Sequence, residues 1–179
     1  AVFFGHGSPM NALERNRYSE AWRRIGATAP RPKAILAVSA HWMTRGTAVT
    51  AMDRPRTIHD FGGFPRELFA VQYPAPGDAR LAERVRHLLA PVDVRPNHDW
   101  GLDHGTWSVL VHVLPGADVP VVQLSLDATC SPRDHYELAA RLAPLRDEGV
   151  LILGRGNVVD NLGMMQWGEN APPYDWAQR

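Results

Sequence analysis

The sequence has one cysteine, no excess of charge of either sign and no long apolar run. Cys130 has no partner for an internal disulfide, which fits a reducing cytoplasm. Nineteen basic side chains balance nineteen acidic ones, and no basic run stands out, which argues against nucleic acid as a partner. No apolar stretch is long enough to cross a bilayer. We therefore expect a cytoplasmic protein that binds neither nucleic acid nor membranes.

The length of 179 residues predicts one domain with a substantial core. Gly5–Gly7 interrupts the apolar start of the chain and no basic flank precedes it, so we expect no signal peptide. The chain opens without an initiator methionine, and no packed element follows Pro172–Trp176. We expect residues 1–179 to form a single domain that is C-terminally incomplete, as a segment of a longer protein.

Strand-like and helix-like segments alternate along the chain. Apolar runs typical of strands are Lys33–Val38, Thr47–Ala51, Val119–Leu126 and Gly149–Leu153, and we expect the strand at Thr47–Ala51 to be half-buried. Segments typical of helices are Asp78–Ala90, Trp107–Leu114 and a stretch that begins at Ser131 and runs through Leu138 and Leu142. This alternation predicts an α/β fold, a single domain with a mainly parallel central sheet and helices on both faces.

Two histidines follow apolar runs that are typical of strands. His6 lies just after Val2–Phe4, and His41 lies just after Ala34–Val38. Taken singly, each histidine is compatible with a purely structural role, as a turn residue or a packed core residue. In an open α/β sheet, however, ligands and reacting groups collect beyond the carboxyl ends of the strands. Two imidazoles at that edge favour a metal site, and imidazole suits zinc and ferrous iron alike.

Two further segments carry candidate residues with two open interpretations each. His104 follows Asp103 at the start of a helical stretch, either in a turn that enters the helix at Thr106 or as a substrate contact or proton donor. The irregular loop Thr57–Pro65 either covers a site for an aromatic ligand or plugs the sheet edge. The candidates that it contributes are His59, Asp60 and Phe61.

Ser8, close to His6, raises an alternative of another class, a hydrolase with Asp103 and His104 as orienting acid and base. The sequence lacks the Gly-x-Ser-x-Gly elbow of many such enzymes, so this hypothesis is the weaker one. Metal analysis of the purified protein distinguishes it from the metal-dependent alternatives.

Six motifs in order resemble those of the class III extradiol ring-cleavage dioxygenases, in their DOPA 4,5-dioxygenase-like branch. The motifs are Phe4–Asn11, Ser39–Trp42, Thr57–Pro65, Tyr73–Gly77, Gly101–Gly105 and Gly156–Val159. The resemblance implies an enzyme that opens the ring of a catechol-type aromatic substrate with O2. It also implies a non-haem Fe²⁺ or Zn²⁺ ion held by His6 and His41.

The sequence departs from the family's pattern at two positions. Asp160 stands where the resemblance places an acid/base histidine at the metal site, and Arg155 stands where the family tends to have a small residue. A further ligand, histidine or glutamate, is expected from a segment after Arg179. We expect Asp160 to be either the third metal ligand or a poor replacement base, because the pKa of a free aspartate is only ~3.9.

The sequence therefore predicts an extradiol dioxygenase whose ring cleavage is weakened by Asp160 and by the missing ligand. The predicted catalytic residues are Asp160 and His104, the metal ligands are His6, His41 and Asp160, and the substrate contacts are His59, Asp60, Phe61 and His104. The alternative is a catalytically weak metal-binding pocket protein that retains zinc or an aromatic ligand. The expected partners are a small aromatic diol and O2, and the sequence gives no indication of the oligomeric state.

Overall fold

A six-stranded sheet organises the part of the chain that this computed structural model describes, residues 1–156 and 174–177. The strands are β1 (Val2–Gly5), β2 (Ala34–Thr44), β3 (Thr47–Thr50), β4 (Arg56–Thr57), β5 (Val94–Asn97), β6 (Gly101–Leu102), β7 (Val121–Asp127) and β8 (Val150–Gly156). The α-helices are α1 (Arg17–Thr28), α2 (Arg66–Phe69), α3 (Ala79–Leu89), α4 (His104–Val113), α5 (Pro132–Ala140) and α6 (Pro144–Asp147). Two 3₁₀-helices span Pro9–Ala12 and Asp175–Ala177.

The sheet is mainly parallel, as the sequence predicts. Its strand order is β1-β8-β2-β7-β3-β5, and every neighbouring pair is parallel except β3 and β7. The short strands β4 and β6 form a separate parallel pair. The carboxyl ends of β1, β8, β2 and β7 therefore meet at one edge, where ligand sites of α/β proteins form.

Helices cover both faces of the sheet, because alternate residues of the strands point to opposite sides. On β2, Ile35 and Ala37 belong to the core beneath α1 and α4, whereas Leu36 belongs to the core beneath α3 and α6. Trp22 of α1 and Leu110 of α4 are buried members of the first core. The predicted α/β architecture with helices on both faces is confirmed.

Side-chain caps explain where the helices begin. Asp78 accepts hydrogen bonds from the N–H groups of Arg80 and Leu81 at the start of α3, as predicted. Ser131 forms a capping box with Asp134 at the start of α5. The prediction that this helix runs through Leu142 is wrong, because α5 ends at Ala140. The helix α1, which the sequence analysis missed, also begins with a capping box, formed by Asn16 and Ser19.

Two strand predictions need correction. Residues 47–50 of β3 are fully buried rather than half-buried, because β7 and β5 flank this strand inside the sheet. β2 does not stop at Val38 but continues to Thr44, and its register with β7 shifts between Val38 and Met43. His41 therefore lies within an irregular part of β2 and not beyond its end. Among the described residues, no helix is both long and apolar enough to cross a membrane.

Candidate metal centre

Three histidines from three separate elements meet at the carboxyl edge of the sheet. One nitrogen from each of His6, His41 and His104 lies within 4.8 Å of the other two. The ring centroids of His41 and His104 are 4.1 Å apart, and that of His6 lies 4.9 Å from His41 and 5.3 Å from His104. Separations of this size allow the three nitrogens to bind one cation.

Local structure explains how each imidazole reaches this point. His6 follows β1, and Gly7 after it takes a left-handed conformation with φ of 60°, which turns the chain sharply. The side-chain amide of Asn11 donates a hydrogen bond to the carbonyl of His6 at 3.0 Å and holds this turn. His41 projects from the irregular part of β2, and His104 is the first residue of α4.

The carboxylate of Asp60 joins two of the histidines. Its Oδ1 accepts hydrogen bonds from the backbone N–H of His104 at 2.8 Å and from Nδ1 of the same residue at 2.9 Å. Its Oδ2 lies 3.2 Å from Nδ1 of His41. Burial raises the pKa of Asp60, but the hydrogen bonds from His104 and His41 outweigh it and hold the pKa well below its usual range.

An ionised carboxylate only accepts hydrogen bonds, so both histidines donate through Nδ1–H to Asp60. This arrangement leaves Nε2 of each ring as the atom available to a cation. Nε2 of His41 is buried and has no hydrogen-bond partner among the described residues. The same carboxylate therefore orients two imidazoles toward the third.

His6 has the electrostatic character of a ligand that stays neutral. Its side chain is only 2% exposed, and its Nδ1 is buried without a hydrogen-bond partner in the described part of the chain. Burial, the charge of Arg155 and the imidazoles of His104 and His41 lower the pKa of His6 to about 3. A neutral imidazole has the lone pair that a metal ion requires. The three side chains therefore fit a divalent ion such as Zn²⁺ or Fe²⁺.

The loop predicted to carry substrate contacts lies beside this cluster. The Phe61 ring is 5.4 Å from that of His104 and 5.0 Å from that of Phe69, so it forms an aromatic wall. The Nε2 atom of His59 is 3.0 Å from the carbonyl of Val71, and its ring packs against that of Phe61. Both carboxylate oxygens of Asp60 are engaged by histidines. The roles of these residues in substrate binding remain predictions.

The structure places two other candidates, His104 and Ser8, at the starts of helices. Asp103 caps α4, which begins at His104 itself rather than at Thr106, and the imidazole of His104 faces the other two histidines. The Ser8 hydroxyl accepts a hydrogen bond from the N–H of Met10 and caps a 3₁₀-helix. Within residues 1–156, no hydrogen bond joins Ser8 to a histidine. Asp160 lies outside the described residues, so its role as ligand or base stays a prediction.

Sequence reasoning missed the shared carboxylate of Asp60 and the proximity of His104 to the two predicted ligands. It also missed a buried polar network of Ser39, Asp103, Gln123 and Arg155. The one available signal was that the Thr57–Pro65 and Gly101–Gly105 segments each contain an aspartate next to a histidine. That content does not reveal which acid contacts which histidine.

Comparisons with known proteins identify a family and relatives that this chain resembles. The model of the family described as the catalytic LigB subunit of aromatic ring-opening dioxygenase matches residues 6–178. A 4,5-DOPA dioxygenase extradiol of Escherichia coli K12 is 53% identical over 178 residues, which cover 99% of this chain and 66% of that protein. A protein of the same name from Beta vulgaris is 44% identical over 162 residues, 87% of this chain and 60% of its own length.

A solved structure shows the same fold. The crystal structure of an uncharacterized protein from Escherichia coli K12 superposes with a TM-score of 0.83 at 47% identity, covering 98% of this chain and 67% of that one. The chain thus spans about 60–66% of the length of these two curated relatives.

Proposed function

This chain belongs to the LigB family of aromatic ring-opening dioxygenases, and from that premise we propose that its protein is a non-haem, metal-dependent extradiol dioxygenase. The proposed substrates are a catechol-type aromatic diol and O2. The observation that carries the proposal is the convergence of three imidazoles beside the aromatic wall of Phe61; two of them have a buried nitrogen without a hydrogen-bond partner in the described part of the chain. The single free cysteine, which is exposed, is consistent with the cytoplasmic location that we also propose.

His6 and His41 are the proposed metal ligands, and Fe²⁺ is the ion proposed for catalysis, with Zn²⁺ as the competing occupant. When bound, the ion would lower the pKa of the catechol hydroxyls and bring the two reactants together. Asp60 would keep Nε2 of His41 available to the ion, because it accepts the hydrogen bond from Nδ1–H.

His104 is the proposed proton-transfer residue of this chain. Its side chain is 7% exposed, it contacts the Phe61 ring, and its Nδ1–H is held by Asp60, so Nε2 is the atom that would exchange a proton with a bound diol. Phe61 provides an apolar surface against which an aromatic ring packs. Asp160 remains proposed either as a third ligand or as a weak base, and its short carboxylate is the reason to expect slow ring cleavage.

The test is aerobic incubation of the iron-loaded chain with a panel of catechols. We expect oxygen uptake and slow formation of a yellow semialdehyde product. His6→Ala and His41→Ala should remove both metal binding and product formation, because each deletes a ligand. Failure of the wild-type chain to bind Fe²⁺ or Zn²⁺ would refute the proposal, and rapid product formation would refute the predicted weakness.

A second candidate function is a pocket protein that binds metal or an aromatic ligand without efficient cleavage. The presence of Asp160, where the resemblance places a histidine, favours it. The substitution Asp160→His separates the two functions. A gain in product formation supports an impaired enzyme, whereas unchanged metal binding with no gain in product supports the pocket protein.

A further inference from the structure

A charged side chain is buried at the carboxyl end of β8, close to the histidine cluster. The Arg155 side chain is completely buried, and burial lowers its pKa to about 9, which leaves it protonated at neutral pH. Burying a guanidinium is costly unless carboxylates and other acceptors satisfy it. The partners of Arg155 therefore indicate what the side chain does.

One group of these partners belongs to the segment that carries His41. Nη2 of Arg155 donates a hydrogen bond to Oγ of Ser39. The same oxygen accepts the backbone N–H of His41 at 3.1 Å and that of Trp42 at 3.2 Å. The Ser39 hydroxyl thus connects the guanidinium directly to the main chain of His41 in the irregular part of β2.

The other partners belong to the start of α4, which carries His104. Nη2 of Arg155 also donates to Oδ1 of Asp103, the residue that caps this helix, and Nε donates to Oγ1 of Thr106 at 2.9 Å. Asp103 is completely buried, and its Oδ2 accepts further bonds from Ser39 at 2.5 Å and from Gln123 at 2.8 Å. The ion pair therefore sits between the two histidine-bearing segments.

The backbone of Arg155 adds a third connection. In the pairing of β1 with β8, Phe4 lies opposite Arg155 and Gly5 lies opposite Gly156, immediately before His6.

The guanidinium fits only because residue 105 is glycine: a Cβ on Gly105 would lie 1.6 Å from Nη1 of Arg155. The space for the arginine is thus built into the first turn of α4.

We infer that Arg155 is a positioning residue for the metal centre, which fixes the segments of His41 and His104 relative to each other and to the strand that leads to His6. Bonds to Ser39, Asp103 and Thr106 span elements distant in sequence, and such outer partners set the orientation of metal ligands. The inference rests on the proposed metal centre, so its test includes a measurement that needs no metal.

The first measurement is titration of the purified chain with Co²⁺, read by the visible absorption of the bound ion. Arg155→Lys keeps the positive charge beside Asp103 but loses the planar fork that bonds three partners at once. We expect the dissociation constant for Co²⁺ to rise about 10-fold and the visible band to change shape, since outer-shell changes have effects of this size. Gly105→Ala should act in the same direction, because its methyl group displaces the guanidinium.

The second measurement is amide hydrogen exchange of the metal-free chain. Arg155→Lys should speed exchange in the peptides that contain His41 and His104 and leave the peptides of α3 unchanged. The matched control is Leu145→Ala, a fully buried residue of the core on the α3 side of the sheet. It should lower the melting temperature while the Co²⁺ affinity and the visible band stay as in wild type.

The outcomes separate this inference from the proposed function. Wild-type affinity, an unaltered Co²⁺ band and unaltered exchange in both site variants would overturn the positioning role of Arg155. If the wild-type chain binds no Co²⁺, the proposed function fails, and the exchange measurement still decides the role: faster exchange confined to the two histidine segments supports it, and unaltered exchange overturns it.

Discussion

Replacing Asp60 by asparagine tests whether one carboxylate orients both the proposed metal ligand His41 and the proposed proton-transfer residue His104. The carboxylate accepts hydrogen bonds from the backbone N–H of His104 and from the Nδ1 atoms of His104 and His41, at distances of 2.8–3.2 Å. In Asp60→Asn, the amide oxygen can retain the bonds from His104. The NH₂ group then faces the N–H of His41, so His41 must change its tautomer and place its proton on Nε2.

A proton on Nε2 removes the lone pair that a metal needs, and the loss should be measurable as affinity. Charge-assisted hydrogen bonds contribute about 1.5–3 kcal/mol each. Loss of one such bond corresponds to a rise of about 10- to 100-fold in the dissociation constant for Zn²⁺, since ~1.4 kcal/mol is tenfold. We would measure that constant by competition with a chromophoric chelator at pH 7.5.

A matched control guards against a general loss of stability. Asp127 is also a carboxylate whose pKa is lowered, to about 2, but its partners are the backbone N–H and hydroxyl of Thr129. Asp127→Asn should weaken the hydrogen bonds between Asp127 and Thr129 and leave the Zn²⁺ affinity unchanged. An unchanged Zn²⁺ affinity in Asp60→Asn, with the protein folded, would refute the idea that Asp60 sets the tautomer of His41.

Three further predictions follow from the same structure. His104→Ala should slow catechol cleavage at least 100-fold with a Zn²⁺ affinity within a few-fold of wild type if His104 transfers protons; a loss of affinity as large as that of His6→Ala would make it a ligand instead. In the metal-free chain, the free energy of unfolding should fall as the pH falls from about 6.5 toward 3, because His6 takes up a proton in the unfolded chain but stays neutral when buried. Measured by chemical unfolding, the free energy of unfolding of His6→Gln should depend less on pH in this window. A pH dependence identical to that of wild type would contradict the low pKa of His6. Leu145→Ala should lower the free energy of unfolding by about 2–5 kcal/mol in urea titrations, because it leaves a cavity beneath the sheet; a loss under 1 kcal/mol would mean that the site collapses to fill it.

Local chemistry made the elements of the fold predictable. The Asp78 and Ser131 caps mark the starts of two helices, and apolar periodicity marks the length of the first of them, because both signals act within one or two turns of the chain. The position of His6 at the end of β1 was predictable for the same reason. His41 was placed correctly at the sheet edge but wrongly beyond β2, since the register shift with β7 depends on a strand from elsewhere in the sequence.

The sequence by itself determined an α/β domain with a mainly parallel sheet and two histidines at its carboxyl edge, because strand and helix signals are local. Only the tertiary structure decided that His104 joins them, that Asp60 holds two imidazoles, and that Arg155 lies against Asp103. These contacts join residues tens of positions apart, and their energies depend on burial and charge pairing that exist only after the chain has packed.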